Sequence, residues 1–227
     1  EDDLLVSADA VLSNADVTLL ETLLGFFDRL AAENTKDLST ESAAARRKVG
    51  DIQQHLGRLE NAQQSYQISL NAYQAIATRK PEDASLILAQ AETLHQMMVT
   101  SAKLGTIPDA LKTFQKLRTL LAASSAVQES AQGKFMLATA MNSLVSFSLP
   151  MAVEPRNRIR NPLFNRMPAA VEPPNPALRQ RLRRESDTNS EALEILKELT
   201  IEEPASVAYR MALAQATKDS VRIAQLS

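Results

Sequence analysis

Along most of this 227-residue chain, apolar residues recur every three or four positions, the period of one face of an α-helix. Leu4, Leu5, Ala8 and Leu12 make one stripe over 3–14. Leu20, Leu23, Leu24, Phe27, Leu30 and Ala31 make a second, with Asp16 as its N-cap and a break at 34–37. Ser39 or Thr40 caps a helix that runs to about Leu56, where Gly57 ends it; Leu59, Ala62, Tyr66, Leu70 and Tyr73 carry its partner to about Thr78. Pro81 stands at the next helix start, where a missing N–H costs little, and Leu86, Ile87, Ala91, Leu94, Met98 and Ala102 lead to Gly105. Pro108 opens the answering helix, with Ala110, Leu111, Phe114, Leu117 and Leu121, and a further long helix is predicted over about 127–147.

Part of this pattern repeats. Gly57-x4-Ala62-x3-Tyr66 returns 48 residues later as Gly105-x4-Ala110-x3-Phe114. Small residues recur where two helices must touch, and an aromatic recurs one turn later. Self-similarity at a fixed period signals a stacked-helix array, an architecture that commonly offers extended binding surfaces.

The helical pattern stops at Pro150. Seven of the ten prolines fall between Pro150 and Pro176, and 150–186 carries eight arginines, no lysine, and Glu154, Glu172 and Glu185. That stretch is +5, which leaves about −7 for the remainder. It is predicted to be a long loop or a disordered insert, with a short basic helical turn over 178–184. Helix is expected again from Ser190, through Ala192, Leu193, Leu196 and Leu199 to Pro204, and a last helix carries Val207, Ala208, Met211, Ala212 and Gln215. The predicted organisation is therefore N-terminal helices over 1–38, two hairpins and the first helix of a third over 39–149, the insert over 150–186, and the closing helices over 187–227.

Composition narrows the classes. Five glycines and 4% aromatics argue against an all-β sandwich, and good helix formers dominate. A net charge of −2 favours neither nucleic acid nor membrane for the molecule as a whole. With no cysteine there is no disulfide and no Cys-ligated zinc, so the redox compartment is undetermined. No apolar run reaches the ~18 residues of a membrane span. The chain begins at Glu1 without Met, which reads as an excised or processed piece, cytoplasmic or the soluble part of a membrane-anchored protein.

The hairpins resemble tetratricopeptide repeats. In the first, Val49-Gly50 is the large-small pair of helix A, Leu56-Gly57 the turn, and Ala62, Tyr66 and Leu70 lie on helix B. In the second the counterparts are Met97-Met98, Leu104-Gly105, Ala110, Phe114 and Leu117, with Met98 where a small residue is usual. A third repeat is split: Ala192, Leu196, Leu199 and Pro204 match a helix B, and its helix A lies around Leu137, Ala140, Met141 and Leu144. The resemblance covers about 40–220. It implies an all-α, right-handed α-solenoid of hairpins interrupted by one long Pro/Arg-rich loop, with Gly50, Gly57, Ala62, Tyr66, Gly105, Ala110, Phe114, Ala192, Leu196 and Pro204 as packing positions. More narrowly, 23–66 and 204–214 are similar to the repeat region C-terminal to bacterial serine/threonine protein kinases, especially in planctomycetes. That likeness implies a parent chain with a kinase domain; this chain has no Gly-rich phosphate loop, His-Arg-Asp loop or Asp-Phe-Gly.

His55 and His95 are the only histidines, a repeat apart and without ligand spacing; no Ser lies in a Gly-x-Ser-x-Gly elbow, and Glu41, Glu60 and Glu92 are scattered. No catalysis, metal or cofactor is expected. The resemblance implies that the exposed side of each helix A lines a concave face, here Arg47, Asp51 and Gln54, then Glu92, His95 and Val99. Arg47 is the only cation among them and Asp51 lies one turn on, so a carboxylate clamp is not expected. The expected function is a non-catalytic protein-interaction scaffold whose concave face takes an unidentified protein or peptide segment. For the insert three readings stand: disorder, self-docking through Leu163, Phe164 and Met167, or binding of nucleic acid or anionic lipid through its arginines.

Overall fold

The computed structural model describes residues 13–33, 39–152 and 176–226, and these are helical with no strand among them. The helices are α1 (Asn14–Glu33), α2 (Thr40–His55), α3 (Leu59–Ala77), α4 (Ala84–Lys103), α5 (Ile107–Ala122), α6 (Ser125–Glu129), α7 (Ala131–Ala152), α8 (Pro176–Glu202) and α9 (Val207–Leu226). The helix predicted over 3–14, the break at 34–37 and most of the insert lie outside the described residues. The chain divides into two compact units, residues 1–100 and 101–227.

Side-chain capping marks the starts of α1, α2 and α4, while α3 and α5 start without it. The Ser39 hydroxyl accepts from the Ser42 N–H and starts α2 where expected. Two starts differ from expectation. At α1 the cap is Ser13: its hydroxyl accepts from the Asp16 N–H while the Asp16 carboxylate accepts from the Ser13 N–H, a reciprocal capping box that puts Asp16 inside the helix. Pro81 lies in a turn, and α4 begins three residues later behind Asp83, whose carboxylate accepts from the N–H groups of Ser85 and Leu86.

The two corners named by the repeat are the same structure. Gly57 has φ 72° and Gly105 φ 77°, the left-handed conformation that ends helices at glycine. Gly57 N–H donates to Gln54 O and Arg58 N–H to Gln53 O; Gly105 N–H donates to Ala102 O and Thr106 N–H to Ser101 O. Each is the paired hydrogen bond of a Schellman motif. The next residue then opens the following helix with nearly identical torsions, φ −84° and ψ 64° at Arg58 against φ −86° and ψ 63° at Thr106.

In the first unit α1 packs on α2 and α2 on α3. Gly50 allows that approach: a Cβ there would lie 2.6 Å from the Tyr66 ring, which is fully buried. Ser69 donates its hydroxyl to Ala43 O across the same pair, and Ala43, Tyr73 and Leu86 join α2, α3 and α4 in one apolar cluster. In the second unit α7 is central, packed by α5, α6, α8 and α9, while α8 also packs on α9. Val145, Leu149, Leu182 and Ile223 form its core, and Ala192, Leu196 and Leu199 are fully buried.

Two boundaries are corrected here. The helix expected over 127–147 is broken at Ser130, which is extended and caps α7 by accepting from the Gly133 N–H. The stretch 176–186, expected to be loop except for a short helical turn over 178–184, is helical throughout: α8 runs unbroken from Pro176, 14 residues before the expected start at Ser190. Pro176 is tolerated as the first residue of a helix, and Leu182, Glu185 and Asn189 extend the buried face, though not its apolar character, backwards from Ala192.

Candidate functional site

The six expected groove residues lie on two helices, Arg47, Asp51 and Gln54 on α2 and Glu92, His95 and Val99 on α4, all within the first unit. Four of them take part in polar links within that unit. The Arg47 guanidinium lies 2.7 Å from Glu92 and 3.8 Å from Asp51, with its side chain only 13% exposed. Gln54 donates from Nε2 to the Thr100 hydroxyl at 2.8 Å. Asp51 Oδ1 accepts the Tyr66 phenol at 3.0 Å, and this carboxylate, together with burial, raises the phenol's pKa. His95 and Val99 are half-buried. Desolvation pushes the His95 imidazole down to about 4, so at neutral pH it is uncharged. The strip therefore presents a pre-set, nearly neutral polar surface, and Asp51 is as much a core anchor as a surface group.

The expected packing residues divide between buried and exposed positions. Ala62, Tyr66, Ala110, Ala192 and Leu196 are fully buried, Phe114 nearly so, and Gly50 touches Tyr66. Gly57 and Gly105 are exposed at their corners, and Pro204 is exposed after the end of α8. Met98, which stands where a small residue is usual, is 1% exposed. Among the described residues no cluster of three or more His, Cys, Asp or Glu is placed to hold a metal, and no helix is long and apolar enough to cross a membrane.

A second concavity, absent from the sequence reading, lies wholly within the second unit. It is a groove of about 790 Å³ with α5 and α8 as walls and Leu144 and Ser148 of α7 as floor. Ile107, Leu111, Phe114 and Arg118 follow one face of α5, and Leu111 is 43% exposed there. From α8 come Ala177, Arg181, Arg184, Glu185, Asp187 and Glu191, so the three arginines of the lining, Arg118 included, meet three acids. Arg118 pairs with Glu191 at 2.9 Å, and Arg181 donates to the Ser148 carbonyl at 2.9 Å. Burial raises the Glu185 carboxyl's pKa, against the opposing pull of Ser148 and Arg181. The spacing 107, 111, 114, 118 was visible in the sequence, but reading 176–189 as loop with only a short helical turn removed most of the opposite wall.

Fold and site together define an all-helical protein in which one hairpin corner occurs twice in the same geometry. No family model matches the chain, and no curated protein matches it. Among solved structures, the crystal structure of BtubC (BKLC) from P. vanneervenii aligns over 92% of this chain and 89% of that one, at 12% identity and a TM-score of 0.39.

Proposed function

We propose that this chain is a non-catalytic protein-interaction scaffold of the tetratricopeptide type, a right-handed array of helical hairpins that takes a partner segment on the α2–α4 strip. The observation that carries the reading is the duplicated corner: the same Schellman hydrogen bonds and the same following torsions, 48 residues apart, each leading to a buried alanine and then a buried aromatic. A corner reproduced this closely is what a stacked repeat requires. The Arg47–Glu92 and Gln54–Thr100 links support the choice of strip, because a surface already ordered has less freedom to lose on binding. Membership in a serine/threonine-kinase-related signalling protein is the narrower form of the same proposal and rests on the likeness at 23–66 and 204–214.

The test is panning of a displayed peptide library on the full chain, followed by calorimetry on the selected peptides. Saturable one-to-one binding, weakened by Val99→Glu with helicity unchanged, is the expected result. Val99→Glu is a cleaner probe than Asp51→Ala, which would also strip the Tyr66 phenol of its acceptor. Failure of every peptide to bind would end the reading.

A second reading is favoured by one observation: the first turns of α8 expose Arg179, Arg183 and Arg184. On that reading the arginine-rich stretch holds nucleic acid or an anionic lipid surface. It requires retention that falls steeply with salt and disappears when these three arginines become glutamine.

A further inference from the structure

Helix α8 is charged against its own dipole. Its first turn carries Arg179 and no acid, and its last turn carries Glu202 and no base. The N-terminus of a helix is its positive end and the C-terminus its negative end, so each end of α8 holds like charge. Local rules of this kind are broken chiefly where function requires it.

The imbalance extends into α9. Asn189 of α8 donates to Ala216 O, and Leu182 joins Ile223 in one cluster, so the first half of α8 lies beside the second half of α9. Over 176–187 and 218–226 the bases are Arg179, Arg181, Arg183, Arg184, Lys218 and Arg222, against Glu185, Asp187 and Asp219, a net +3. Glu185 and Asp219 are buried, and α7, which packs on both helices, contains no acid. Over 191–211 the acids are Glu191, Glu194, Glu198, Glu202 and Glu203, against Lys197 and Arg210, a net −3. Arg118 and Lys134 reach in from α5 and α7 to pair with Glu191 and Glu198. The hydrogen bond to Glu198, with the charges of Glu202 and Glu129 behind it, raises the Lys134 pKa. With Glu129 counted, this end stays at −2. It also exposes apolar surface, with Ile201 78%, Met211 69% and Val207 59% in water. At the basic end Val221, between Lys218 and Arg222, is 54% exposed.

We infer that the second unit binds a second copy of this chain head to tail, the basic end of one α8–α9 pair meeting the acidic end of the next. Arg179 and Arg183 then stand against Glu202 and Glu203, and Ile201, Val207 and Met211 are covered. A second copy is the occupant because the two ends of one helix pair carry opposite net charge, each the complement of the other. A two-fold contact through either end alone would bring like charges together. A head-to-tail contact leaves one end of each copy free, so it extends into open chains or closes into a ring. It uses no residue of the α2–α4 strip.

Sedimentation of the full chain over a range of concentrations tests this. The mean mass is expected to rise past that of a dimer and to fall as salt is added. Arg179→Gln with Arg183→Gln, or Glu202→Gln with Glu203→Gln, should each weaken association about tenfold. Each pair of changes removes charge that opposes the α8 dipole, so neither variant should melt earlier than the parent, which separates a lost contact from a lost fold. Mixed in equal amounts, the two variants should pair and stop at dimers, since each keeps the end that the other lacks. A parent chain still monomeric at about 1 mM overturns the inference. So does association that ignores salt or either pair of changes, and so does a parent that stops at dimers, which would mean a two-fold contact. The peptide test on Val99→Glu is untouched by any of these results.

Discussion

At the scale of single residues, three glycine positions separate three physical costs. Alanine at Gly50 should help α2 by about 1 kcal/mol on helix propensity. Yet its Cβ would enter the Tyr66 ring at 2.6 Å, and that ring is buried and tethered to Asp51. Overpacking of about 1–3 kcal/mol should therefore win. Gly57→Ala meets no atom within 4 Å, and its cost is the left-handed backbone alone, about 1 kcal/mol. Gly133→Ala is the worst: its Cβ would lie within 2 Å of the Val127 carbonyl oxygen, so α6 and α7 must part. Urea unfolding should rank the losses Gly133, then Gly50, then Gly57, and a Gly50→Ala chain more stable than its parent would refute the packing account. His95 adds a pH term. Its native imidazole titrates near 4 against an ordinary 6.5, so its contribution is complete above pH 6.5 and lost as pH falls toward 4. The loss is about 3 kcal/mol. His95→Gln should lose correspondingly less stability than the parent between pH 7.5 and 4.5, and parallel curves for the two would remove His95 from the pH response. Gly50, Gly57 and Tyr66 were legible because a small residue, a helix end and an aromatic stood at repeat spacing. Gly133 was not, since its reason is one carbonyl on another helix.

Among the elements, α9 is held by polar groups to an unusual degree. Asn142 donates to Ala212 O and Asn189 to Ala216 O, so α7 and α8 each grip the backbone of α9. Asp219 is fully buried and accepts from the Ser146 hydroxyl at 2.7 Å and the Gln215 amide at 2.9 Å, with Arg222 3.7 Å away. Buried hydrogen bonds of this kind fix register, and removing the common acceptor strands the Ser146 hydroxyl, at about 1–3 kcal/mol, while the Gln215 amide keeps only its bond to Ser146 Oγ. Asp219→Ala should therefore loosen α9 selectively. Hydrogen exchange should quicken in 207–226 well before 131–149, and uniform acceleration across both would refute the grip. The apolar stripe of α9 was legible; this network was not, because Asn, Ser, Gln and Asp on a helix look like solvent-facing residues until their partners on other helices are placed. The same limit applies to α8. Prolines and arginines weigh locally toward loop, yet the buried Leu182 and Asn189 show that packing against the second unit's core extends the helix to Pro176.

For the whole molecule, the proposed repeat architecture predicts that damage should stay local. Tyr66 lies in the first unit, sealed against Gly50 and hydrogen-bonded to Asp51, and its removal opens a cavity worth about 3–5 kcal/mol. In a protein with one indivisible core that loss would spread evenly. Here the core of the second unit, built on Val145, Leu149, Leu182 and Ile223, contains no residue from α2 or α3. Tyr66→Ala should accordingly raise hydrogen exchange in 40–77 by several orders of magnitude, while the amides of α7 and α8 keep most of their protection. Phe114→Ala should do the reverse, exposing α5 and its neighbours in the second unit and sparing α2 and α3. Reciprocal patterns from these two substitutions would establish that the matched aromatics serve separate nearest-neighbour cores. Identical exchange profiles would mean a single cooperative fold, and the duplicated glycine corners would then be a local likeness without the modular energetics that a repeat scaffold needs.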